Sequence, residues 1–285
     1  GKENMIKIVT DTTSGLPLDV ARAQDIPVLP QIVIFGEETY RDDTEMDTRT
    51  FLQKLRASPT LPKTAAPPPA LYNPVFERLL AEGYRTIICL HPSSELSGTV
   101  RSALTAAQDF PGADIRVVDT RTIAAPLATV VLLAARWARD GVDADTIIAR
   151  VQDLLARQRV YFVVDTLEYL HRGGRIGGAQ ALLGGLLQVK PILTLRDGRV
   201  EPFEQQRTQK RALARLRELV LGECPRTPES YLAVMHADAE ATARELAADF
   251  SAQLGIPDIP IYELPPAIVT HAGPGVLAVS YFVAP

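Results

Sequence analysis

Short apolar runs alternate with segments of helical period along the first half of the chain. Residues 6–10, 26–35, 86–90 and 115–118 are rich in β-branched side chains and predict strands. Between them, apolar positions recur at helical spacing over 47–57, 69–81 and 98–109. A longer helix is predicted over 123–140, with Gly141 as its stop. Strands alternating with helices predict an α/β domain with a largely parallel sheet. In residues 145–158, Ile147, Ile148, Val151, Leu154 and Leu155 share one helical face. That helix reads as the bridge to a second α/β domain, dividing the chain into 5–158 and 159–285. In the second half, residues 161–164 and 192–195 predict strands, 208–221 and 239–254 predict amphipathic helices with 231–235 between them, and 277–283 closes the chain. Asp197-Gly198 between Leu195 and Val200 is a hairpin signal. The proline-rich stretch 59–69 is expected to be an ordered loop, because helical patterns flank it closely.

Composition narrows the class of partner. The net charge of −4 gives no reason to expect nucleic acid or an acidic membrane surface. The longest apolar stretch, 123–137, is too short to span a bilayer and contains Pro126, so no stable membrane insertion is expected. The two cysteines, Cys89 and Cys224, lie far apart without metal spacing and read as buried thiols in a reducing compartment. Met5 opens directly into a strand pattern, so no leader is expected and the cytoplasm is the expected location.

Four polar constellations fall where strands or loops end, the places at which α/β sheets bind ligands. Asp11-Thr12-Thr13-Ser14-Gly15 follows the opening strand and reads equally as a helix cap and turn. Lys63-Thr64 places a hydroxyl in a stiff loop. His91-Pro92-Ser93-Ser94-Glu95-Leu96-Ser97-Gly98-Thr99 joins a strand to a helix, where amides favour an anion and Ser97 adds a donor, with capping as the competing role. Thr270-His271-Ala272-Gly273-Pro274-Gly275 combines glycines with a histidine able to meet a carboxylate.

A serine hydrolase built from Ser97, His271 and Asp119 is an alternative, but Glu95 stands where the first glycine of a nucleophile elbow belongs. The glycine-rich Arg172-Gly173-Gly174-Arg175-Ile176-Gly177-Gly178 lacks the Gly-Lys-Ser/Thr ending of a phosphate loop. No carboxylate–histidine cluster predicts a metal, and no cofactor is expected. Residue patterns alone lead to an α/β protein suited to an anionic small molecule.

Taken together, these segments resemble the DegV family of bacterial fatty-acid-binding proteins, the lipid-carrying subunits of fatty acid kinase. The resemblance runs from Ile8-Val9-Thr10-Asp11-Thr12-Thr13 to Thr270-His271-Ala272-Gly273-Pro274-Gly275. It is most specific at Thr166-Leu167-Glu168-Tyr169-Leu170, Gly173-Gly174-Arg175-Ile176, Lys190-Pro191-Ile192-Leu193 and Asp197-Gly198. Leu96-Ser97-Gly98-Thr99 and Asp119-Thr120 match as well. It implies two α/β domains enclosing an acyl-chain pocket between them, and a lipid-binding protein with no catalysis of its own. A long-chain fatty acid such as palmitate or oleate would be presented to a separate kinase for acyl-phosphate formation, in lipid transport or fatty acid metabolism. The resemblance assigns the carboxylate to Thr64, Ser97 and His271, and contact with the kinase to two exposed arginines, Arg175 and Arg207. The chain departs from the family at Ala65-Ala66, where a serine and a glutamine are usual, and at Ala124, Pro126 and Ala128, where a serine and two glycines are common.

Overall fold

The computed structural model describes residues 5–185 and 189–285. The chain divides into two compact units, one running up to Asp47 and from Ala57 to Ala156, the other comprising Thr48–Arg56 and Arg157–Pro285. The sequence boundary at 158/159 thus gains an exception, because residues 48–56 are claimed by the second unit. Thr48 Oγ1 donates to the carbonyl of Leu264 at 2.9 Å, and Arg56 pairs with Asp238, long-range contacts that no local pattern encodes.

In chain order the elements begin with β1 (Ile6–Asp11), α1 (Leu18–Ala23), β2 (Val28–Leu29), β3 (Ile32–Phe35), β4 (Glu38–Arg41), α2 (Thr48–Ala57) and β5 (Lys63–Ala65). They continue with α3 (Pro69–Ala81), β6 (Thr86–His91), α4 (Thr99–Ala107), β7 (Asp114–Asp119), α5 (Ala125–Arg139) and α6 (Ala144–Ala156). The first unit is built on a parallel sheet of order β2-β1-β6-β7. Every residue of β1 is buried, as a strand covered on both faces requires. Val9, Ile87 and Cys89 pack with Tyr72, Phe76 and Leu79 of α3 and Ala103 and Ala106 of α4. Strand alternation turns Ile8, Ile88 and Leu90 to the other face, and α5 packs against β1 and β6.

The strand expected over 26–35 is two strands in two sheets. Pro27 and Pro30 lack backbone donors, and the chain turns between Leu29 and Ile32. A small antiparallel sheet, β4-β3-β5, results. Within it Thr64 pairs with Val33, so Thr64 lies on an edge strand and not in the loop expected from the prolines.

The second unit follows with β8 (Gln158–Val163), α7 (Glu168–Arg172), β9 (Lys190–Arg196), β10 (Arg199–Gln206), α8 (Gln209–Glu223), β11 (Ala233–His236), α9 (Glu240–Leu254), β12 (Ile261–Glu263), α10 (Pro266–Ala272) and β13 (Leu277–Phe282). Its sheet has the order β10-β9-β8-β13-β11-β12, antiparallel except between β11 and β12. Leu216 and Val220 of α8 and Leu246 and Phe250 of α9 pack on Tyr161, Ile192, Val279 and Tyr281 of that sheet. Asp197 and Gly198 have φ of 52° and 77°, the paired left-handed conformation of a tight hairpin turn. Both thiols are buried, which pushes their pKa values up. Among the described residues, no helix is long and apolar enough to cross a membrane, and no cluster of His, Cys, Asp or Glu could hold a metal.

Candidate functional site

In the first unit, β6 ends at His91 and the chain loops through Ser97 into α4, at the carboxyl edge of the parallel sheet. Ser97 is half-buried, and its hydroxyl lies 2.6 Å from Thr99 Oγ1 and accepts from the Thr99 amide at 3.2 Å. The N-cap of α4 is Gly98, without a side-chain cap, so Ser97 forms a local turn contact one residue before the helix and remains partly exposed. Gly98 brings the β5 segment alongside, since a Cβ at Gly98 would stand 3.7 Å from the Ala66 methyl. Half-buried Thr64, two residues before Ala66, and Ser97 thus belong to adjoining segments of one unit.

Behind Ser97 runs a buried polar chain. Gln31 Nε2 donates to Thr99 Oγ1 at 2.8 Å and to Asp11 Oδ2 at 2.9 Å. Asp11 Oδ1 meets His91 Nδ1 at 2.7 Å, and His91 Nε2 meets the Tyr72 hydroxyl at 3.0 Å. Asp11, His91 and Thr99 are wholly buried, Gln31 nearly so. Burial pushes the Tyr72 phenol far up, which keeps it a protonated donor. Asp11 also accepts from the Thr13 amide at 2.9 Å, so the turn expected after the first strand is present as well.

In the second unit, His271 lies in the last turn of α10, not in a loop as its glycine-rich surroundings suggested. Its ring rests on Gly173, whose carbonyl accepts from Arg175 Nη1 at 2.7 Å. Burial, helped by the nearby Arg175 guanidinium, lowers the His271 pKa to about 4, so its imidazole is neutral at physiological pH. Arg175 is half-buried and burial lowers its own pKa, which corrects the expectation of an exposed side chain. The close approach of α7 and α10 draws the guanidinium back onto backbone. Arg207 is exposed, between β10 and the Thr208 cap of α8. Gly273 and Gly275 approach Tyr169 and Asp165 so closely that a Cβ at either would overlap those side chains. The segments around 165–173 and 271–275 therefore pack on one another.

Residues 5–284 match the model of a protein family described as "Uncharacterised protein, DegV family". The chain belongs to the DegV family. It is 37% identical over 278 residues to a DegV domain-containing protein of Halalkalibacterium halodurans, covering 98% of both chains. A solved fatty-acid-binding DegV family protein from Thermus thermophilus has 35% identity and a TM-score of 0.85, over 98% of this chain and 100% of that one. DegV from Bacillus subtilis, solved as a fatty acid binding protein, has 32% identity and a TM-score of 0.86, over 99% and 100%.

Within this DegV-family chain, the polar residues that sequence reading passed over are Gln31 and Tyr72. Gln31 stands in an apolar stretch beside Pro30, and Tyr72 falls on the apolar face of α3; neither position carries a motif. Asp119, the acid of the hydrolase alternative, accepts from the Ser94 hydroxyl at 2.6 Å and the Arg121 amide at 3.0 Å, which is a turn-forming role. Ala66 presents a methyl to Gly98.

Proposed function

We propose that this protein binds one long-chain fatty acid, with the hydroxyls of Thr64 and Ser97 as donors to its carboxylate. The observation that carries the reading is whole-chain similarity to DegV proteins solved as fatty acid binders, at 35% and 32% identity. The adjoining Thr64 and Ser97 segments support it. Removing about fifteen methylenes from water is worth roughly 0.8 kcal/mol each, which leaves room for tight binding after ordering costs. A charged head group needs short donors of this kind. His271 is a further donor in this reading, through a neutral imidazole. The arrangement favours a binder over a hydrolase, because the Ser97 hydroxyl is engaged by Thr99.

The bound acid would be presented to a separate kinase, which transfers phosphate to the carboxylate. Exposed Arg207 suits a docking contact, and half-buried Arg175 suits it less. Replacing Thr64 or Ser97 by alanine should weaken palmitate binding about tenfold or more, since a hydrogen bond to a charged group is worth roughly 1.5–3 kcal/mol. The double variant should lose less than the sum, because both hydroxyls would serve one carboxylate. Unchanged affinity in both single variants would place the head group elsewhere, and His271→Ala tests the imidazole separately. Arg207→Ala should leave lipid content unchanged and slow phosphorylation by a cognate kinase.

A further inference from the structure

The hydrogen atoms around Ser97 can be assigned one by one. Asp11 Oδ2 accepts the Thr13 N–H at 2.9 Å, so it faces Gln31 as an acceptor. The Gln31 atom 2.9 Å away must therefore be the amide nitrogen, and its second hydrogen goes to Thr99 Oγ1 at 2.8 Å. Thr99 Oγ1 accepts on that side; its side chain is wholly buried and, among the described residues, Ser97 Oγ at 2.6 Å is the acceptor left to its own hydrogen, which would otherwise be buried without a partner. The Thr99 amide also donates to Ser97 Oγ, at 3.2 Å. Both lone pairs of the Ser97 hydroxyl are thereby occupied, and only its hydrogen is uncommitted. At the other end of the chain, Asp11 Oδ1 stands 2.7 Å from His91 Nδ1, and His91 Nε2 stands 3.0 Å from the Tyr72 hydroxyl.

We propose that Gln31 is a positioning residue that, through Thr99, holds Ser97 as an outward hydrogen-bond donor and so makes the site selective for an acceptor-only carboxylate head group over a neutral hydroxyl. The inference rests on the reading that Ser97 meets the ligand's head group. Asp11 and Thr99 are 0% exposed and Gln31 is 3% exposed, which denies water the chance to reverse the chain of donors. A hydroxyl free to rotate can turn its lone pairs toward a ligand. One whose acceptor sites are filled can only donate, and donation to an anion is the stronger bond.

The test compares palmitate with 1-hexadecanol, two ligands that share a tail, on the full chain by calorimetry. Gln31→Met and Thr99→Val remove the relay while keeping side-chain size. Each should lower the palmitate-to-hexadecanol affinity ratio about tenfold, mostly through palmitate. Thr99→Ser, which restores the hydroxyl, should recover the ratio. A purely structural role predicts lower thermal stability with both ligands weakened equally, and that result would overturn the inference. If Gln31→Met does not fold, the Thr99→Val and Thr99→Ser pair decides the matter alone. Ser97→Ala separates the two levels of the account. A ratio lowered by Ser97→Ala but untouched by the Gln31 and Thr99 variants removes the relay and leaves the carboxylate reading intact. Palmitate affinity unchanged in Ser97→Ala removes both.

Discussion

The imidazole of His271 rests on the backbone of Gly173, where a Cβ would overlap Nδ1 of the ring and stand 2.9 Å from the Tyr169 carbonyl. Gly173 has an ordinary φ of −78°, so glycine is needed there for space and not for conformation. Gly173→Ala should cost about 1–3 kcal/mol, the usual penalty of overpacking. Gly112→Ala, with nothing within 4 Å of the added methyl, is the matched control and should be nearly neutral. Urea midpoints of the two variants measure the difference. Equal midpoints would mean that the ring does not depend on this contact.

The same histidine gives stability a pH dependence. The unfolded chain protonates it near its ordinary value of about 6.5. Burial and Arg175 hold the folded value down to about 4. Below the unfolded value the unfolded state binds more protons, so this contribution is complete above about pH 6.5. It is lost as the pH falls toward 4. Burial also lowers His236, which adds to the trend. Melting temperatures at pH 7.5 and 5.0 should therefore fall less steeply in His271→Gln than in the wild type. Parallel slopes would show that the imidazole titrates normally in the fold.

Ala124 occupies a backbone conformation that suits glycine. With φ 61° and ψ −136° at the N-cap of α5, and only 5% exposed, it holds its amide on the Thr13 carbonyl at 2.8 Å. Strain of this kind costs on the order of 1–3 kcal/mol, against roughly 0.4–1 kcal/mol of extra chain entropy for glycine. Ala124→Gly should accordingly stabilise the protein by about 1 kcal/mol, the reverse of the usual result for this exchange. A lowered melting temperature would contradict it.

Much of this arrangement is legible in the chain because its elements are local. The helix expected over 69–81 has the observed bounds of α3, and the strand patterns around 6–10, 86–90 and 115–118 fall within β1, β6 and β7. These segments bury a regular set of positions, and periodicity reports burial. The three-residue β5 is too short to show a period, and its pairing with β3 is set by chain some thirty residues away. Helix α10 has only seven residues, and Ile268 and Val269 favour a strand by composition; Pro266 at its start is a helical signal. Thr64, Ser97 and His271 could be named from motif resemblance. Gln31 could not, because its role exists only once β1, β6 and α4 are brought together.

The central claim is that the protein carries a fatty acid, and the most direct measurement is its lipid content. Purified protein should be analysed intact by native mass spectrometry and, after solvent extraction, by lipid mass spectrometry. The account predicts one long-chain fatty acid per chain, retained on purification or taken up from added palmitate or oleate. A chain that purifies without lipid and takes up neither acid would contradict it.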